Sequence, residues 1–226
     1  MNYKVNYLWE KNKMHITRHN TSKIWPIPRK GTKYLVVPSR GKNTSIPLLV
    51  AMREMLGIVK TRKELKKILN EKKIKVNGSP IREDKTSLAL FDVISISCLN
   101  KNYKVTFSEK GKFALEEIKD AETANKICKI IGKKMLNGKK IQINFNDGRN
   151  LISKEAVKIG DSAVINFKEK KIEKILPVKE KSKIIVIKGK HLGEIGEIAK
   201  VDGNKLIIKD KTKEFETVNK EVIVLS

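Results

Sequence analysis

The stretch TRKELKKILNEKKIKVNG, Thr61 to Gly78, decides how this chain is read. Leu65, Ile68 and Leu69 recur at the i, i+3, i+4 spacing of one helix face. Thr61 stands ahead of them and Glu64 follows three residues later. That is the pattern of a capping box, in which each side chain satisfies the other residue's backbone N–H. The helix gives way to KIKVNG, a short alternating strand stopped by Asn77-Gly78, a dipeptide suited to a tight turn. Basic residues fill most of what remains: Arg62, Lys63, Lys66, Lys67 and Lys73 spread over the arc left by the apolar stripe. Like charges so placed repel one another, so an anion outside the chain is expected to compensate.

The flanking sequence supplies what would cover the stripe. Upstream, SIPLLVAMREMLG reads as a helix with Ser45 as N-cap, Pro47 in the first turn and Gly57 as the C-terminal stop. Leu48, Leu49, Met52, Met55 and Leu56 mark its apolar face. Downstream, FDVISI reads as a second strand. Residues 45–100 thus form helix, helix, strand, turn, strand.

Residues 1–44 show no sustained period, carry Pro26, Pro28 and Pro38, and hold ten Lys/Arg against the single acid Glu10. They read as an extended basic arm that orders along a polyanion. Trp25 has two roles open to it, stacking on an unpaired base or packing on protein.

Residues 101–172 read as mainly β. YKVTF and KFALEEI flank a turn at Lys110-Gly111, and a helix is expected over DAETANKICKIIGKK from Asp120. KKIQINF and NLIS flank the turn Asn146 to Arg149, whose Asp-Gly is a hairpin signal. KIGDSAVINF and KKIEKIL continue the pattern. Residues 173–226 read as a small β-barrel built from SKIIVIKG, GEIGEIAKV, NKLIIKD and EVIVLS. Gly189, Gly193 and Gly196 either permit positive φ in its turns or cradle phosphate together with Lys190 and His191.

Composition narrows the function. The chain has 226 residues and a formal net charge of +25, from 50 Lys+Arg against 25 Asp+Glu. At 39% hydrophobic it can fold, so it is not a disordered polycation. Nucleic acid is the first expectation for its partner. An anionic membrane is the second, and the narrow apolar stripe argues against it. No run of about 18 apolar residues is present, and the N-terminal MNYKVNYLWEKNK lacks the apolar core of a signal peptide. Cys98 and Cys128 stand far apart, suggest no disulfide framework or metal pair, and are expected as small buried hydrophobes in a reducing, intracellular compartment.

Enzyme motifs are missing. His15, His19 and His191 have no nearby Cys, Ser or Asp in a nucleophile arrangement. There is neither a P-loop nor a dinucleotide-binding glycine pattern. No catalytic residue, metal, cofactor or small-molecule substrate is expected.

TRKELKKIL, KIKVNG and FDVISI together resemble the S-four RNA-binding domain. HITRHNTSKIWPIPRK followed by IPLLVAMREMLG narrows the likeness to the S-four-e family of archaeal and eukaryotic small-subunit ribosomal proteins. EKGKFALEEI, KICKIIGK, GKKIQINFNDGRN and the KOW-like VIKGKHLGEIGEI continue it in family order. The resemblance implies an α+β, multidomain structural constituent of the small subunit. Its partners would be small-subunit rRNA and neighbouring ribosomal proteins, its place the cytoplasmic ribosome. It implies a basic arm at 1–44, an S-four-like RNA-binding domain at 45–100, a central β-rich domain at 101–172 and an SH3-like KOW barrel at 173–226. Carried over by matching residues, the implied RNA contacts are His15, Arg18, Lys23, Trp25, Arg29 and Lys30 in the arm. In the next domain they are Arg62, Lys66 and Arg82. Two rivals share parts of this pattern, an RNA-modifying enzyme and a KOW-containing transcription or assembly factor. The first needs a catalytic domain with a placed Asp, and the second leaves the arm and residues 45–100 without a role.

Overall fold

The computed structural model describes residues 15–108, 110–136, 140–153, 157–210 and 214–225. Residues 1–14 of the expected arm therefore lie outside the described residues. The chain divides into two compact units. Unit 1 runs to Thr106 and adds Lys112–Glu117; unit 2 holds Phe107–Gly111 and everything from Ile118 on. The α+β expectation gives way to a mainly β fold. Among the described residues the one regular α-helix longer than a turn is Arg62–Asn70, and the other helical pieces are short.

In unit 1 the strands are β1 (His15–Thr17), β2 (Tyr34–Val36), β3 (Ile46–Pro47), β4 (Ile74–Val76), β5 (Ser79–Pro80), β6 (Ser87–Leu88), β7 (Val93–Ile96), β8 (Lys101–Phe107) and β9 (Phe113–Ile118). β1 pairs with β2, β3 with β6, and the other five form one sheet in the order β5-β4-β7-β8-β9. Across it Ile74 lies opposite Ile96, and Val76 opposite Ile94. All four are buried, which fixes the register because a one-residue slip would turn them to solvent. Helix Arg62–Asn70 begins as its sequence predicts. The backbone N–H of Glu64 donates to Thr61 Oγ1 at 3.3 Å, and the N–H groups of Lys60 and Thr61 donate to Glu64 Oε2 at 2.9 and 3.3 Å. Leu65 and Leu69 are fully buried beneath it. Asn77 and Gly78 both take positive φ, +50° and +76°, as a primed two-residue turn requires. The Asn77 side chain is buried in the turn, donating to Asp92 Oδ1 at 2.7 Å and accepting from the Val93 N–H at 2.9 Å.

The upstream helix differs from its sequence pattern. Ser45 does not cap it; its hydroxyl donates backward to the Arg40 and Gly41 carbonyls at 2.6 and 2.9 Å. Ile46 and Pro47 pair with β6 instead, and the helix starts only at Leu48. It then widens into a π-helical turn over Ala51–Met55. Leu48, Leu49, Val50, Ala51 and Met52 are all buried, so the segment is apolar all round rather than striped. Gly57 ends it at φ +65° as expected.

Unit 2 holds two five-stranded antiparallel sheets. The first contains β10 (Asn125–Leu136), β11 (Lys140–Phe145), β12 (Asn150–Ser153), β13 (Ser162–Asn166) and β14 (Lys171–Leu176), in the order β12-β11-β10-β13-β14. The second contains β15 (Lys183–Val186), β16 (Ile195–Asp202), β17 (Lys205–Lys209), β18 (Glu214–Val218) and β19 (Val222–Val224), in the order β18-β17-β16-β15-β19. Each sheet covers its own cluster, Cys128, Ile130, Ile143, Phe145 and Ile165 in the first and Ile184, Val186, Ile198, Leu206 and Ile208 in the second.

The helix expected from Asp120 is a strand. Only Asp120–Ala124 turns, as a 3-10 segment, and β10 follows it. Ile127, Ile130 and Ile131 imitate helical spacing, but Lys126, Cys128 and Ile130 are the residues buried on one side, and their period is 2. Lys126 belongs to that face because Asp147 neutralises it. The two cysteines also part company: Cys128 is buried as expected, whereas Cys98 is exposed.

Candidate nucleic-acid interface

The arm residues that the structure describes are folded, not merely extended. β1 and β2 bury Ile16 and Leu35 on one side, and Trp25 is 2% exposed. The Trp25 indole N–H donates to the Ser45 carbonyl at 3.0 Å, and the neighbouring Ile24 carbonyl accepts from the Phe113 N–H at 2.9 Å. Of its two open roles, packing on protein is the one the structure shows. No face of this indole is open to a base.

Arg18 is engaged inside the arm. Its Nε donates to the Thr32 carbonyl at 2.8 Å, Nη1 to the Pro28 carbonyl at 2.7 Å and Nη2 to Thr32 Oγ1 at 3.1 Å. The guanidinium fork thus ties both ends of the loop Pro28–Thr32. Arg29 and Lys30 stand exposed on that loop. Lys23 and His15 are exposed as well, and the His15 ring meets Tyr34 edge to face at 4.7 Å.

Arg62 is likewise committed. It grips Asp84 through two hydrogen bonds, Nε to Oδ2 at 2.5 Å and Nη2 to Oδ1 at 3.2 Å. Asp84 is buried, and its carbonyl also accepts the Leu49 N–H at 3.1 Å, so one residue serves both helical segments. Spacing hid this because Asp84 lies 22 residues away, in the loop that follows the Asn77-Gly78 turn. Lys66 and Arg82 are exposed and hold no carboxylate among the described residues. In the turn between β15 and β16, Lys190 is exposed, whereas the His191 ring stacks on Phe215 at 4.2 Å and its Nδ1 lies 2.9 Å from Glu194 Oε2. Gly189 and Gly193 take positive φ in that turn, +91° and +87°. Gly196 does not; it lies in β16, where a Cβ would come within 2.6 Å of Ile208 Cγ2.

Two lysines of β10 are withdrawn from any interface. Lys126 Nζ pairs with Asp147 at 3.1 Å, both side chains almost wholly buried. Burial alone would raise the Asp147 carboxyl, but Lys126, the Arg149 N–H and the Arg149 guanidinium hold it below the usual carboxylate range. Lys129 Nζ donates to the carbonyls of Asn219 and Val222. Burial pushes its pKa down to about 8, against the opposing pull of Asp161. Lysines that stay outside therefore define the basic surface. No cluster that could hold a metal occurs among the described residues, and no helix among them is long and apolar enough to cross a membrane.

Small antiparallel sheets arranged in this way have a counterpart in a ribosomal protein of known structure. Residues 99–172 match the sequence model of the ribosomal family S4e. The chain is 34% identical over 220 residues to the small ribosomal subunit protein eS4 of Methanocella arvoryzae, covering 93% of each chain. It is 35% identical over 193 residues to the protein of the same name from Nanoarchaeum equitans, covering 84% of this chain and 82% of that one. The crystal structure of the 30S ribosomal protein S4e from Thermoplasma acidophilum superposes with a TM-score of 0.70 at 26% identity, over 81% of this chain and 96% of that one. The chain belongs to the S4e family of ribosomal proteins.

Proposed function

We propose that this chain binds small-subunit rRNA through its basic surfaces, sits among neighbouring small-subunit proteins in cytoplasmic ribosomes, and supports subunit assembly and translation as a structural, non-catalytic constituent. The observation that carries this reading is the presence of exposed cations without carboxylate partners among the described residues, Lys23, Arg29, Lys30, Lys66, Arg82 and Lys190 among them. The exposed His15 belongs to the same proposed surface, while Arg18, Trp25, Arg62 and His191 act through bonds within the chain that fix the elements carrying them. The division into an arm (1–44), an S-four-like domain (45–100), a central β domain (101–172) and an SH3-like KOW barrel (173–226) is part of this proposal.

The mechanism is charge neutralisation joined to shape. Each Lys or Arg that meets a phosphate releases condensed counterions, so affinity falls as salt rises. Six to ten such contacts would lose about a thousandfold or more between roughly 50 and 200 mM salt. Filter binding of the full chain to small-subunit rRNA across that range tests the reading. A steep, linear fall of log affinity with log salt is expected. Weak binding with no salt dependence would sink it, as would absence of the protein from salt-washed small subunits on a sucrose gradient.

A further inference from the structure

The exposed side of the β1–β2 pair has a feature that the charge pattern does not reveal. Ile16 and Leu35 take the buried side, so the residues that alternate with them, His15 and Tyr34 among them, take the other. Tyr34 is 51% exposed, a large aromatic left in water on a flat two-stranded surface. The Lys33 ammonium lies 5.3 Å from its ring centroid and the His15 ring meets its edge. Lys33 follows directly on the loop Pro28–Thr32, and the Lys33 carbonyl accepts the Arg18 N–H at 2.9 Å. The aromatic surface and the basic loop are therefore one continuous piece of chain.

That loop is locked in place. Three donors of Arg18 hold it at Pro28 and Thr32. Gly31 takes φ +142°, and a Cβ there would fall 2.7 Å from Arg18 Nη2 and 2.9 Å from Cζ. A side chain at this position would displace the guanidinium from the loop. The backbone that carries Arg29 and Lys30 is thereby anchored at both ends, which leaves the loop less freedom to lose on binding.

We propose that this surface is a binding site for one unpaired RNA nucleotide and its flanking phosphates. Tyr34 stacks on the base, Arg29 and Lys30 meet the phosphates, and Arg18 is a positioning residue that touches no RNA. Aromatic stacking beside a basic groove is how unpaired bases are held without sequence reading. The site rests on the rRNA-binding reading above and deepens it.

The test is filter binding of the full chain and its variants to small-subunit rRNA at fixed salt, with thermal melts as folding controls. Tyr34→Phe keeps the ring and should bind as the unaltered chain does. Tyr34→Ala should lose about 5- to 150-fold, the range for one stacked base. Gly31→Ala removes no charge yet should weaken binding, because it displaces the guanidinium. Arg18→Lys keeps the charge but not the fork, and should weaken binding as much as Arg18→Ala. Added to Arg29→Ala/Lys30→Ala, it should cost nothing further. Tyr34→Ala binding as tightly as the unaltered chain would overturn the stacking role. Arg18→Lys losses that add fully to those of the double variant would show that Arg18 meets RNA itself, and overturn its positioning role. An unaltered chain that does not bind rRNA at all would instead defeat the underlying reading.

Discussion

At the residue scale, charge alone does not say which cations face outward. Arg62 and Lys66 sit four apart on one helix, and both carry over from the family pattern as RNA contacts, yet their surroundings differ. Arg62 neutralises the buried Asp84, whereas Lys66 is exposed with no carboxylate partner among the described residues. Arg62→Ala should lower stability by about 1–3 kcal/mol in urea titration, because it strands a buried carboxylate. Lys66→Ala should stay within about 0.5 kcal/mol and instead weaken rRNA binding. An unchanged urea midpoint for Arg62→Ala would refute the structural role. Lys129 makes the same point in pH. Its pKa is near 8 in the folded chain against 10.5 when free, so the folded state holds fewer protons between those values. Stability therefore rises with pH across that window, by on the order of 3 kcal/mol from this group. In Lys129→Met that part of the rise should vanish from urea midpoints taken at pH 7.5 and 10. Equal slopes in the two proteins would count against the depressed value. None of these internal pairings was legible in the sequence, since each joins residues that only the folded chain brings together.

At the element scale, legibility followed the directness of the local signal. The capping box at Thr61, the Asn77-Gly78 turn and the hairpin at Asn146–Arg149 could be read because short-range hydrogen bonds fix them. The strand β10 was misread because a buried ion pair let a lysine occupy an inward position, which hid the period of 2. β18 went unread because Phe215 and Thr217 are its buried residues while Glu214, Glu216 and Val218 face solvent, leaving a single large apolar side chain as the cue. The glycines of the KOW-like turn divide in two. Gly189 and Gly193 serve backbone conformation, but Gly196 serves close approach between β16 and β17. Gly196→Ala should destabilise unit 2 by about 1–3 kcal/mol, the usual cost of overpacking, since the added carbon meets Ile208 Cγ2 at 2.6 Å and the Lys209 carbonyl at 3.0 Å. A melting temperature equal to that of the unaltered chain would show that the strands simply part to admit it.

At the scale of the whole molecule, the formal charge of +25 does not say which cations reach an interface. Arg18 and Arg62 are bonded to carbonyls and a carboxylate of the chain itself, and Lys126 and Lys129 are buried, so these four are not among the exposed cations that stand without a partner. The ribosomal character of the chain was legible in its motifs because they recur in order along its length. The division of labour among its cations was not. The seam around Lys129 has a further consequence, for synthesis. Lys129 bonds to Val222 across 93 residues, and Ser162 Oγ accepts the Val224 N–H at 2.9 Å across 62. A strand made late is therefore stitched to strands made early, and a nascent chain leaves the tunnel in that order. Until residues 222–224 emerge, Lys129 lacks the Val222 carbonyl and the Ser162 hydroxyl lacks the Val224 N–H. Stalled nascent chains ending before Val222 should consequently stay protease-sensitive in unit 2, and chains that have released β19 should not. Equal protection in both would mean that the first sheet closes without its last stitch.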